Sequence, residues 1–255
     1  MKKLLVTLTV AESKRLIAKG LLKTEAVQQA WKNGYLCITM GTTSAYLVEE
    51  ILGEYDKTRH IAGLTVAKGL AVTEGEKRFP DAIFLKGKRI EGKKVIDVLD
   101  QMGPGDVIIK SANAIGSDYI PIVLLASRTG GTVGTFMGPA MARNITVITP
   151  VGLEKCIPTS YDEFCSEFGM DDWDYAIGTQ VGAISIPGAI TFTEIEALGT
   201  LFDVSVMPIA AGGINGGEGS ITLYISGEDE NVQNAYKFLK EIKGEPPFPH
   251  VAHVK

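Results

Sequence analysis

The sequence predicts an α/β protein, with a three-layer, Rossmann-like arrangement around a largely parallel sheet and a smaller C-terminal α+β unit. Three observations predict it. Short apolar runs alternate with stretches of helical periodicity; one such run, Tyr35-Leu-Cys-Ile-Thr-Met40, passes through a small-residue turn straight into a helical stretch; and the character of the chain changes near Asp174. Alternation of this kind favours parallel strands covered on both faces. The expected division is 1–174 for the main domain and 175–255 for the small unit, within a 255-residue chain long enough to bury a sizeable core.

The elements follow in order. Leu16, Ile17 and Leu21 recur at helical spacing over 12–22, and Thr24 offers a cap for a second helix over 25–32 that stops at Gly34. The run at 35–40 is a buried-strand type, and after Gly41-Thr-Thr-Ser44 a helix is expected over 45–52, closed by Gly53. Strands are expected at 60–66 and 70–73, and a hairpin over 82–90 turning at Gly87. A helix is expected over 95–102, then a buried strand at 106–110 that runs into the polar end Ser111-Ala-Asn-Ala-Ile-Gly116. Residues 121–126 are apolar enough for a third central strand, Arg128-Thr-Gly-Gly-Thr132 opens a helix through Ala142, and 145–149 is a fourth strand. Beyond Asp174 come a strand at 181–186, a helix at 193–201, strands at 204–210 and 221–226, and a helix at 229–242. The glycine-rich stretch 212–219 joins two of these strands, and Pro246-Pro-Phe-Pro249 prevents the last helix from continuing.

Composition excludes several roles. Hydrophobic residues make up 45% and charged residues 22%, which is ordinary for a folded chain, so most of it is expected to fold. With 25 basic and 30 acidic residues the net charge is −5, and no element concentrates Lys or Arg with interleaved aromatics, so no nucleic acid partner is expected. The basic group around Lys86, Lys88, Arg89, Lys93 and Lys94 is broken by Gly87, Glu91 and Gly92 and reads as a solvated turn. Cys37, Cys156 and Cys165 cannot all pair, and none lies in a Cys-x-x-Cys or Cys/His array, which predicts a reducing compartment and no metal site. The opening Met-Lys-Lys-Leu-Leu-Val-Thr-Leu-Thr-Val starts like a signal peptide but turns polar at Ala11, so neither export nor a membrane partner is expected and the location expected is cytoplasmic.

The chemistry is expected at three loops, because open sheets of this kind bind ligands beyond the carboxyl ends of their strands. Gly41-Thr42-Thr43-Ser44 sits between a strand and a helix; the helix start leaves unpaired N–H groups, its dipole adds partial positive charge, and the hydroxyls are further donors, all suited to an anion. A plain helix cap would use the same residue types. Lys110 ends an apolar strand beside Ser111 and Asn113, and Lys155 follows the strand at 145–149 onto the same rim. Arg128, Gly130, Gly131 and Thr132 form a second cradle, in which the Arg128 guanidinium is able to hold an anion bidentately. No Gly-Lys-Ser/Thr follows and the Gly-x-Gly-x-x-Gly spacing is missing, so ATP and NAD are not indicated and no cofactor is assigned. Asp106 reads as a surface residue, and none of His60, His250 or His253 lies near a nucleophile-type turn, so no general acid or base is assigned.

Taken together, Tyr35-Leu-Cys-Ile-Thr-Met-Gly-Thr-Thr-Ser-Ala-Tyr-Leu47, Asp106-Val-Ile-Ile-Lys-Ser-Ala-Asn-Ala-Ile115, the Gly130-Gly131 helix start and Ile145-Thr-Val-Ile-Thr149 before Gly152-Leu-Glu-Lys155 give residues 1–168 a familiar order. That order resembles the superfamily of ribose-5-phosphate isomerases, glucosamine-6-phosphate deaminases, CoA transferases and DeoR-type effector domains. The resemblance implies that Gly41 to Ser44 hold a phosphate or CoA-type group. The isomerases' acidic Asp-Gly-Ala-Asp-Glu loop has no counterpart, since Lys110-Ser-Ala-Asn-Ala114 stands there, and no nucleophilic glutamate of the CoA transferases is identifiable. The expected function is therefore binding of a small anionic, phosphorylated metabolite, a sugar phosphate or a CoA-type ligand, by a homo-oligomer whose turnover is undetermined. Two rival expectations are an isomerase or transferase with a rearranged catalytic set drawn from Glu154, Lys155 or 171–174, and an oligomeric scaffold in which the pocket is vestigial.

Overall fold

The computed structural model describes residues 1–255. The chain opens with strand β1 (Lys2–Leu8), helices α1 (Val10–Leu21) and α2 (Glu25–Asn33), strand β2 (Tyr35–Ile38) and helix α3 (Thr42–Leu52). A hairpin, β3 (Gly63–Val66) and β4 (Gly69–Val72), and a second one, β5 (Ala82–Leu85) and β6 (Lys88–Ile90), precede β7 (Val107–Ile109), β8 (Ala114–Ile115) and β9 (Pro121–Leu125). Helix α4 (Gly131–Ala142), β10 (Thr146–Pro150), β11 (Gly182–Ser185), β12 (Ile190–Phe192), α5 (Glu194–Phe202), β13 (Ser205–Ala211), β14 (Ile221–Gly227) and α6 (Asp229–Ile242) complete it.

The protein is mixed α/β. Its six-stranded sheet has the order β12-β10-β7-β2-β5-β6. The first four strands are parallel, with Ile190, Ile148, Ile109 and Ile38 in one row, and β5 and β6 join through antiparallel pairings, so the sheet is mixed. The fully apolar burial of β2 and β7 is what strands covered on both faces require. A separate sheet, β1-β14-β13, is antiparallel, and β11-β9-β8 and β3-β4 form two more.

Several expectations are corrected. The opening residues, read as an abortive leader, pair as β1 with β14 from Lys2↔Gly227 to Leu8↔Ile221. The strand at 121–125 is not central: it turns back on β8 and accepts β11, because the turn at 116–120 closes a hairpin with the Gly116 N–H donating to Ile120. The helix expected over 95–102 is two separate 3₁₀ turns. Val95, Ile96 and Val98 are β-branched and poor helix formers, and the Asp81 carboxylate takes the Val95 N–H at 2.9 Å, fixing the first turn from outside. Asp106 is buried, not on the surface: its carboxylate accepts from the Tyr35 N–H at 2.7 Å and the Gly103 N–H at 2.8 Å, locking β2 to the start of β7.

One hydrophobic cluster runs through both large sheets, joining Leu8, Leu16, Ile38, Ile109, Ile148, Leu223 and Leu239. Pairings also cross the expected boundary at 174/175, since β12 lies on β10 and β1 on β14. Helix α1 begins with a capping box in which the Thr9 hydroxyl accepts from the Glu12 N–H and the Glu12 carboxylate from the Thr9 N–H. It packs closely on α5 because Gly20 has no side chain; a Cβ there would lie 2.7 Å from the Ala197 Cα. Gly20→Leu is expected to cost about 1–3 kcal/mol by overpacking, read as a lowered urea midpoint at unchanged slope.

Candidate ligand cavity

The parallel strands β2, β7 and β10 run the same way and end side by side at Ile38, Ile109 and Pro150. The loops that leave those ends, together with the start of α4, enclose a cavity of about 700 Å³. Gly41, Thr42, Lys110, Ser111, Asn113, Gly130, Gly131, Thr132 and Lys155 line it. Placement beyond the carboxyl ends of parallel strands is the usual one for ligand sites in α/β proteins.

Three expected residues do not line it. Thr43 and Ser44 are buried in the first turn of α3, and the Ser111 hydroxyl occupies the space before that turn, 2.8 Å from the Ser44 hydroxyl and accepting from the Ser44 N–H at 3.3 Å. Gly41 is needed for this protein contact, since a Cβ there would lie 2.7 Å from the Ser111 hydroxyl. The 41–44 turn is thus partly filled by the protein's own donor and acceptor, and only Gly41 and Thr42 face the cavity. Arg128 points away, pairing with Asp171 at 3.0 Å with its side chain largely exposed. Asn113 lines the cavity, but its side-chain oxygen accepts from the Leu124 N–H at 3.0 Å, so that oxygen holds β9 in place.

Positive charge gathers at the other loops. The Lys110 ammonium donates to the Ser111 carbonyl at 2.9 Å and the Lys155 ammonium to the Ala112 carbonyl at 2.8 Å, so the two amines bond to neighbouring carbonyls of one loop. Neither is within 4.0 Å of a carboxylate, the separation that would make an ion pair. Burial, and then the nearby Lys155 charge, push Lys110 down to about 8, with Asp81 acting the other way. Burial likewise pushes Lys155 down to about 8, partly offset by Glu154. At the start of α4, Gly130 and Gly131 take left-handed conformations (φ 73° and 58°), and Gly130 offers no side-chain cap, so the first helical N–H groups have no partner one turn back.

Two cations on the cavity wall are not singled out by the sequence. Arg78 donates to the Thr73 hydroxyl at 2.7 Å and has no carboxylate partner. Lys14 is 6% exposed and stands 3.6 Å from Glu154; its signal is its helical face, shared with Ile17, Ala18 and Leu21. No Asp or Glu lines the cavity, although acidic residues outnumber basic ones in the chain. Behind it, Glu194 is fully buried with one oxygen accepting from the Leu153 N–H at 3.0 Å, and burial, then the Glu154 charge, raise it to about 7. The remaining wall comes from the β3–β4 hairpin, from β9 and the residues that follow it to Ser127, from Thr179 and Val181, and from 248–251.

No family model matches the chain, and no curated protein or solved structure matches it. No helix is long and apolar enough to cross a membrane.

Proposed function

We propose that the protein binds a small anionic metabolite in the cavity at the ends of β2, β7 and β10, with the anionic group seated against Lys110 and Lys155. The observation that carries this is the charge pattern: Lys14, Arg78, Lys110 and Lys155 line a cavity with no carboxylate, and only Lys14 has an acidic partner. An uncompensated ammonium group in a half-buried site is costly, and a bound anion supplies the missing partner. The free amides of α4 add donors on the same wall. A phosphorylated ligand suits this set, and a place in the isomerase and CoA-transferase superfamily, as a member without the usual catalytic carboxylates, belongs to the same proposal. Its support, and that of a three-layer, Rossmann-like description, is the parallel run β12-β10-β7-β2 with small-residue turns at its carboxyl end.

Sulfate tests the proposal because its own charge is constant across the useful pH range. Binding is expected near pH 7 as a rise in melting temperature with sulfate concentration. The sign of the pH dependence follows from the lysines. In the free protein they lose protons above about 8, while the bound anion requires the ammonium form. Affinity should therefore hold below pH 8 and fall above it, by up to about tenfold per pH unit for each lysine that must be protonated. No thermal shift at any pH, or an affinity constant from pH 7 to 10, would remove the proposal.

A further inference from the structure

The cavity is far larger than sulfate or phosphate needs, and its walls differ in chemistry. The ammonium groups come from the ends of β7 and β10, whereas the β3–β4 hairpin contributes Leu64, Val66, Leu70 and Val72 and the segment 248–251 adds Phe248 and Val251. Each of these apolar side chains is only half-buried, and Leu64 and Val66 stand on one face of the hairpin while Leu70 and Val72 stand on the other. Phe248 too is half-buried, its ring 5.9 Å from Tyr46.

The hairpin is a two-stranded sheet that joins no other sheet. Such a pair is marginal by itself and depends on what it is pinned to. One side is held by a bridge from Leu70 to Gly178, with the Thr179 N–H donating to the Leu70 carbonyl at 2.7 Å. The other is held by a bridge from Thr73 to Val254, with the Lys255 N–H donating to the Val72 carbonyl at 2.8 Å. These pins are backbone contacts at the hairpin's margins, and Leu64, Val66, Leu70 and Val72 stay only half-buried beside the cavity.

Apart from its cations, the wall offers a polyhydroxylated ligand the hydroxyls of Thr42, Thr65, Ser127, Thr132 and Thr179 and the His250 imidazole, and no carboxylate. Sugar hydroxyls need acceptors as well as donors when they leave water. The cavity has no Asp, Glu or Gln, and the side-chain oxygen of Asn113, its one carboxamide, already accepts from the Leu124 N–H.

Resting on the anion-binding reading above, we infer that the ligand is an amphipathic anion: one anionic head against Lys110 and Lys155, and an unbranched or prenyl-like hydrocarbon body covering the hairpin and Phe248. The head restores charge balance at the strand ends. The body removes half-exposed apolar surface from water, which is the main source of affinity available on that wall.

A series of n-alkyl phosphates from methyl to octyl, titrated calorimetrically into the full chain beside inorganic phosphate, ribose 5-phosphate and octyltrimethylammonium, tests this. Affinity is expected to rise roughly fourfold per added methylene until the cavity is filled, as transfer of each methylene from water predicts. Leu70→Asn should reduce that gain per methylene, and the series on the unmodified chain stands as the test even if the variant folds poorly. A flat series in which methyl and octyl phosphate bind equally overturns the apolar body and leaves the anion site standing. Ribose 5-phosphate binding more tightly than octyl phosphate also overturns it, in favour of a sugar. If octyltrimethylammonium binds as well as octyl phosphate, or no phosphate ester binds at all, the inference and the anion-binding reading fall together.

Discussion

Lys110→Met is expected to raise the melting temperature of the ligand-free protein and, in the same variant, to abolish the shift that sulfate gives the unmodified chain. The ordinary effect of truncating a half-buried residue is destabilisation, so the opposite sign is diagnostic. Lys110 is held below its usual range by burial and by Lys155, and no carboxylate faces it within ion-pair distance. At pH 7 the folded state therefore carries a charge that the unfolded chain would solvate better, and removing it relieves that penalty. Methionine keeps the length and the apolar stem. A gain of about 1–3 kcal/mol is expected for replacing an uncompensated buried charge by a hydrophobe, or roughly 2–12 °C for a chain of this size. Scanning calorimetry with and without sulfate reads both effects. A lowered melting temperature would mean that the ammonium is there for its 2.9 Å bond to the Ser111 carbonyl, a structural role. Lys155→Met should gain less, because Glu154 already compensates part of its charge.

Arg15→Ala is expected to be the most damaging single change away from the cavity. The guanidinium binds Glu49 and Glu50 on α3 and Glu245 beyond α6, the last through two bonds of 3.0 and 2.8 Å, and lies 4.8 Å above the Tyr46 ring. With its side chain 12% exposed, its loss strands three carboxylates, of which Glu49 and Glu50 keep Lys57 and Lys19 and Glu245 keeps no cation. Breaking a buried ion pair by removing one partner costs about 3–5 kcal/mol, or roughly 6–20 °C in melting temperature. Because Glu245 leads into the segment that contributes 248–251 to the cavity wall, sulfate binding should weaken as well. Arg15→Lys should restore only part of the loss, since one ammonium cannot fork to three carboxylates. A drop of less than about 2 °C for Arg15→Ala would show that the network contributes little.

The sequence makes legible whatever is decided locally. Helix α6 is found at its observed limits, and α2 within one residue, because amphipathic spacing and end signals are short-range. Three of the four parallel strands, β2, β7 and β10, appear as apolar runs for the same reason, whereas β12, three residues long with Thr191 at its centre, is too short to stand out. What is hidden depends on partners far along the chain. The 2–8 run carries the alternation of a half-exposed strand, but its partner lies beyond residue 220, and with no partner in view it looks like a leader. Residues 121–125 are apolar enough for the central sheet, and apolarity cannot say which strand they pair with. At the cavity, Lys110 is visible because a lysine ending an apolar strand is unusual, and Lys155 because it follows β10 onto the same rim, whereas the filling of the 41–44 turn by Ser111 depends on two loops meeting in space. Arg78 and Lys14 carry no motif and are found only by where their elements pack.

The β1–β14 ladder has a consequence for synthesis. During translation the first strand leaves the ribosome long before the stretch at 221–227 that completes its hydrogen bonding. At about 5–20 residues per second, tens of seconds pass in which Leu4, Val6 and Leu8 have no sheet to join. That interval is when the nascent chain is most exposed to association with other chains, and it sets a high contact order for the last step of folding. A chaperone that shields the opening segment should therefore matter more to the yield of this protein than any factor acting on the finished fold.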